Sequence, residues 1–378
     1  MKRTPQWRTF NLIYLACIYS ILVLGIHLAV AFLVADQQQR TILMDEISPI
    51  IDVLTCVTLF IAAKQSITRS KRLAWAWATI GLAMFCYALG DFVWAILEVG
   101  LKLQPFPSIA DGFYLAFYPV YLIGVLLLPE KQVSSNERIK KAIDIGIVMV
   151  AAILGYWNFL IGPSILSNLN QPRLSQLILL AYPVGDLVLF AALLLIINNR
   201  ASGHDDVPLL LLAGSIISMI ITDSIYSYQS HLGIYASGGL LDIGWILSTL
   251  LLGLAGISLI TSSESKSSPE KFLQDHKIIT NFKVIAPFVP YLWILGAYLL
   301  LVVSGLRPLP MSSVSLSLVV GGMILLVLVR QIITSVSERS NLTNQLKNTN
   351  QELLIELTER KLADETLQES EKRFRALV

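Results

Sequence analysis

Long apolar blocks alternate with short polar stretches over the first 334 residues. The blocks run roughly over 12–34, 47–67, 73–97, 109–128, 142–161, 175–197, 208–230, 239–260, 284–305 and 312–334. A helix needs about 20 apolar residues to cross a bilayer, and each block meets that length. Inside lipid the backbone amides must be satisfied within their own segment, so helices are expected, and the weak alternation of a transmembrane barrel is absent. The pattern predicts an all-α polytopic membrane bundle of about ten spans. After Arg330 the pattern changes: glycine and proline nearly vanish and charge becomes dense. Leu342, Leu346, Leu353, Leu357 and Leu367 recur at steps of four, seven, four and ten. This spacing predicts an amphipathic helix over 335–369, continuous with the tenth span, with Leu342, Leu346, Leu353 and Leu357 as the seam of a coiled coil. Thr349 and Asn350 interrupt that seam. A charged helix of this length gains little by folding alone, so a homodimer partner is expected.

Composition agrees with the blocks. The chain is 55% hydrophobic and 14% charged, with a mean hydropathy of +0.67. One soluble core could not hide so much apolar surface, so the lipid bilayer is the expected surrounding. A net charge of +2 gives no reason to expect nucleic acid. Cys17, Cys56 and Cys86 lie inside apolar blocks without metal-binding or disulfide spacing and read as small hydrophobes. The apolar run from Leu12 to Ala35 is too long for a typical signal core and reads as an uncleaved first span. With the N-terminus inside, alternate loops hold 16 basic residues, among them Lys64, Arg69, Lys71, Arg72, Lys131, Arg138, Lys140 and Lys141. The opposite loops hold only Arg40, Lys102, Arg173 and Arg307. That asymmetry places both termini in the cytoplasm and the chain in the inner (plasma) membrane.

Six aspartates stand inside or at the lip of apolar blocks. Asp52, Asp91 and Asp111 are separated by 39 and 20 residues; Asp186, Asp223 and Asp242 by 37 and 19. Around them "SPIIDVLTCVTLFIA" resembles "YPVGDLVLFAALLLI", and "LGDFVWAI" resembles "ITDSIYSY". Two parallel four-helix repeats are expected, over about 12–128 and 142–260, followed by an added pair over about 284–334. The topology brings all six aspartates to the outer half of the membrane, with Trp94, Tyr114, Tyr118, Tyr226 and Trp245 beside them. A charge within a span costs about 2.5–3.5 kcal/mol on insertion scales and usually faces a bundle interior or a wet cavity. One reading is therefore an acidic pocket for a small cationic ligand or protons. The other is structural. Asp111 and Asp242 resemble helix N-caps, and the remaining carboxylates could bond Tyr, Ser or Trp across helices.

Tyr118-Pro119 and Tyr182-Pro183 predict kinks in two spans. His27, His204, His231 and His276 are scattered without metal-ligand spacing, so no metal is expected. No nucleophile motif, phosphate loop or zinc signature occurs, so neither a catalytic domain nor a cofactor is expected.

The run "LTERKLADETLQESEKRFRALV", residues 357–378, resembles the linker that leads into PAS domains of bacterial signalling proteins. In that family Ser370, Glu371, Lys372, Arg373, Phe374 and Arg375 mark the start of the domain, so residues 370–378 read as the first part of a PAS domain. The segments "PSIADGFYLAFYP", "AYPVGDLVLF" and "LLDIGWILSTLLLGLAG" resemble multi-span input modules found before PAS, GGDEF and EAL domains. The resemblance implies a sensor whose output is a histidine kinase or a diguanylate cyclase, without naming a stimulus. A proton- or cation-coupled transporter is the alternative, and a truncated product without its own role is a third.

Overall fold

The structure is a computed structural model that describes residues 6–129, 134–167, 172–198, 206–264 and 289–377. Among them every regular element is helical. The helices are α1 (Gln6–Leu33), α2 (Gln37–Ser66), α3 (Lys71–Ala95), α4 (Ile109–Leu127), α5 (Ser135–Tyr156), α6 (Gly162–Ser167), α7 (Arg173–Asn198), α8 (Asp206–Leu232), α9 (Asp242–Glu264), α10 (Val289–Leu306) and α11 (Ser313–Leu377). Short π-helical turns, Ile96–Gly100 and Trp157–Ile161, extend α3 and α5. Nine helical stretches among the described residues are long and apolar enough to cross a membrane, and Pro290–Leu306 adds a shorter one. Such a set of helices belongs to a membrane protein. Lys131, Arg200, His204, residues 266–283 and the first part of the block expected over 284–305 lie outside the described residues, as does Val378.

The chain divides into two compact units, Met1–Val133 with Ile145–Met323, and Ser134–Asp144 with Ile324–Val378. In the larger unit six helices pack in a closed ring. Helix α2 packs on α3, α3 on α4, α4 on α7, α7 on α8, α8 on α9, and α9 returns to α2. Helix α1 lies against α9 and α2. The middle of the ring is filled by apolar side chains from all six members. Leu59, Trp77, Ile80, Tyr121, Leu189, Leu212, Leu252 and Ala255 belong to one buried cluster there. Many outward residues of the same helices, such as Val53, Phe60, Leu82, Ile123 and Leu247, are exposed, as expected of a surface that faces lipid.

Helix α2 begins ten residues before the apolar block that announced it, because Gln37–Ser66 continues its helix through polar residues. Asp36 opens it by accepting from the Gln38 amide at 3.3 Å. Helices α4 and α7 run through Pro119 and Pro183, and α2 through Pro49, without being broken. In the smaller unit Arg330 of α11 meets Asp144 of α5 in a bidentate ion pair, Nη2 lying 3.3 Å from Oδ2. The arginine is 4% exposed. The four seam leucines, Leu342, Leu346, Leu353 and Leu357, stand exposed along α11 in the single chain.

Candidate functional site

At one end of the ring the apolar filling gives way to a cavity of about 120 Å³. This end gathers the first half of α2, the last turns of α3 and α8, and the beginnings of α4 and α9. All six ring helices contribute wall residues, for example Asp52 (α2), Asp91 (α3), Tyr114 (α4), Tyr182 (α7), Asp223 (α8) and Trp245 (α9). Helix α1 adds His27. Among the described residues no lysine or arginine lines it.

Of the six aspartates singled out in the sequence, Asp52, Asp91, Asp223 and Asp242 line this cavity. So do all five aromatics expected beside them, Trp94, Tyr114, Tyr118, Tyr226 and Trp245. Asp111 and Asp186 stand one contact further back. Asp111 accepts the Tyr182 hydroxyl at 2.7 Å. Asp186, fully buried, lies within hydrogen-bonding reach of Asp223. The cap at the start of α4 differs from the expected one. Ser108 is the N-cap, accepting from the Ala110 amide at 3.1 Å, while Asp111 answers from the third helical position by accepting the Ser108 amide at 2.7 Å. That reciprocal pair is a capping box. Asp242 opens α9 and accepts the Gly238 amide at 2.6 Å and the Tyr235 hydroxyl at 3.2 Å.

The carboxylates around the cavity draw donors mainly from aromatic side chains. Tyr114 donates to Asp91 at 2.7 Å. Trp245 donates to Asp223 at 2.7 Å and Tyr118 donates to it at 3.2 Å. Tyr226, Tyr235 and Trp245 pack edge to face, with centroids 4.7 to 6.4 Å apart. Such packing fixes the rings that hold the acids. In the loop before α9, burial, and after it the charge of Asp242, push the Tyr235 phenol above the ordinary tyrosine range.

Three carboxyl pairs lie within hydrogen-bonding reach of each other: Asp52 with Asp91, Asp186 with Asp223, and Asp45 with Glu98. A hydrogen bond between two carboxyls needs a proton on one of them. Asp52 also takes a hydrogen bond from Thr249. Its Oδ2 is buried, and the paired carboxyl aside it has no partner among the described residues; the same holds for Asp45 Oδ2, and His27 Nε2 is buried without a partner among them.

Asp45, Glu98, His27 and Tyr235 were not singled out in the sequence. The first two were hidden by the block boundaries at 47 and 97, yet helical spacing points to them. Asp45 precedes Asp52 by seven residues and Glu98 follows Asp91 by seven, each on the face of its neighbour. Glu98 also stands four residues after Trp94, whose indole donates to it.

The loop before α9 covers the start of α2. Thr41 donates to the Ser237 carbonyl at 3.0 Å, and Gln37 donates to the same oxygen. Gly238 has φ of +79°, and a Cβ there would stand 2.7 Å from the Thr41 amide nitrogen. Both the backbone angle and the closeness require glycine.

Chemically the cavity is a set of acceptors and aromatic faces, with no lysine or arginine among the described residues of its wall. Among the described residues no three His, Cys, Asp or Glu side chains are grouped as metal ligands. No family model, no curated protein and no solved structure matches this chain.

Proposed function

We propose that this chain is the membrane-embedded sensory input module of a signal-transduction protein. The observation that carries it is a polar chamber that ends blindly. Acids and aromatics line one end of the six-helix ring, while Leu59, Trp77, Leu189, Leu212 and Ala255 fill the ring beyond them. A chamber of that form suits a receptor better than a conduit. The asymmetry of basic residues between alternate loops supports a position on the outer side. The long helix α11 is the element through which an altered packing would reach an output, by rotation or a piston shift. The resemblance of residues 357–378 to PAS linkers supports an output of the PAS type coupled to a histidine kinase or a diguanylate cyclase.

A twofold internal repeat underlies this reading and accounts for the bundle's chemistry. Helices α2, α3 and α4 correspond to α7, α8 and α9. Ser48-Pro49 with Asp52 matches Tyr182-Pro183 with Asp186. The Asp52–Asp91 pair then matches Asp186–Asp223, and Tyr114 on Asp91 matches Trp245 on Asp223. The contacts α2–α9 and α4–α7 exchange under the same operation. Ten spans, the last two forming an added pair, complete the proposed plan.

The test is a chimera in which residues 1–369 precede a kinase or cyclase of known output, expressed with Asp91→Asn or Asp223→Asn. Output is expected to shift in either variant at unchanged membrane abundance. Normal abundance with unaltered output in both would end the proposal. A proton-coupled transporter is the second reading, favoured by the carboxyl pairs. Proton flux in proteoliposomes that vanishes with Asp91→Asn would decide for it.

A further inference from the structure

Two of the carboxyl pairs form a ladder between α2 and α3. Asp52 meets Asp91 on one rung and Asp45 meets Glu98 on the other. The helices run antiparallel, and the rungs are seven residues apart on each, with Glu98 in the π-helical turn that extends α3; on α2 the spacing is α-helical throughout. Seven residues are two helical turns, or about 10 Å.

Each rung retains an open acceptor. Asp52 Oδ2 and Asp45 Oδ2 are shielded from solvent, and the paired carboxyls aside they have no donor among the described residues; Asp52 is only 1% exposed. His27, equally buried, donates from Nδ1 to the Val23 carbonyl at 2.8 Å, which leaves Nε2 as an unpartnered acceptor in the neutral ring. The open polar atoms of the cavity wall are thus acceptors. A buried acceptor left empty costs about 1–3 kcal/mol, so these positions call for donors. Trp94, three residues after Asp91 on α3, faces the same cavity, its indole held by Glu98. Its ring face suits methylenes and favours a nearby cation.

We propose that the cavity binds a linear diamine or polyamine, with one ammonium on each rung and the intervening methylenes along Trp94. Two ammonium groups about 10 Å apart match the rungs. Each supplies N–H donors to Asp52 or Asp45 and replaces the proton that holds the carboxyl pair together. The inference rests on the chamber being the stimulus site, and it names the stimulus class.

The test is titration calorimetry on the full chain in lipid nanodiscs. Probes are butane-1,4-diamine, octane-1,8-diamine, dodecane-1,12-diamine, octylamine and octane-1,8-diol. Octane-1,8-diamine is expected to bind at least about tenfold more tightly than the shorter and longer diamines or octylamine, since a charged hydrogen bond is lost in each. The diol should give no heat. Asp45→Asn should reduce the eight-carbon diamine to the affinity of octylamine and leave octylamine within about twofold, while Asp52→Asn should weaken both about tenfold or more. Glu98→Gln, on the partly exposed rung, supplies a second variant if Asp45→Asn fails to fold. Affinity that rises steadily with carbon number, an absence of heat from every amine, or binding indifferent to both Asp45→Asn and Glu98→Gln would overturn the assignment. The measurement involves no output domain, so the two ideas fail separately. Amine binding with a silent chimera removes the sensory reading alone; a chimera that responds to Asp91→Asn without amine binding removes this inference alone.

Discussion

Asp223 depends on two aromatic neighbours, because one oxygen takes the Trp245 indole and the other the Tyr118 hydroxyl. Trp245→Phe should destabilise the fold by about 1–3 kcal/mol, the cost of leaving a buried charged or polar acceptor short of a donor. Tyr118→Phe, which gives up a longer bond, should cost about 0.5–1.5 kcal/mol. Thermal unfolding in detergent, followed by near-ultraviolet circular dichroism, would rank them; the reverse order would contradict the geometry. Asp52, Asp91, Asp223 and Asp242 were legible in the sequence because a charge inside an apolar run is conspicuous. Asp45 and Glu98 were not, since they lie where hydropathy falls and a block ends. His27 lay in plain view on an apolar helix, but its role depends on α2 and α9 closing over it.

Among elements, close packing of α4 on α7 depends on Gly185. A Cβ at that position would stand 2.7 Å from the Tyr118 ring. That ring is buried and held by Asp223, so it has little room to move away. Gly185→Ala should therefore destabilise by about 1–3 kcal/mol through overpacking, read as a lower unfolding midpoint. In the smaller unit Arg330→Ala should cost about 2 kcal/mol or more, because Asp144 then keeps its charge without its partner. Arg330→Met combined with Asp144→Leu should recover much of that loss, and a double-mutant cycle in urea or detergent denaturation measures it. Helical class and the ends of most helices follow from apolar blocks alone. The early start of α2 and the π-helical end of α3 do not, because polar residues there face a chamber formed only after distant helices meet.

At the level of the whole molecule, the exposed leucines of α11 argue for a second copy of this chain. A cysteine replacing Leu346 should give a disulfide-linked dimer under mild oxidation in membranes, and a purely monomeric band would remove the proposed route to an output. The ring itself could not be read from one sequence, because pairing of α9 with α2 joins residues nearly 200 apart, as in the Thr55 hydroxyl that donates to the Thr249 carbonyl at 3.3 Å. It has a further consequence. The ring closes through two seams, α4 against α7 and α9 against α2, and only the first is bridged by the segment that carries α5 and α6. Two separate polypeptides, residues 1–129 and 134–378, should therefore find each other when co-expressed and co-purify as one assembly. A protein that survives such a cut holds its two parts together by packing across these seams, and both parts contribute walls to the chamber. A ligand there would touch both polypeptides at once, so its binding should hold the cut protein together.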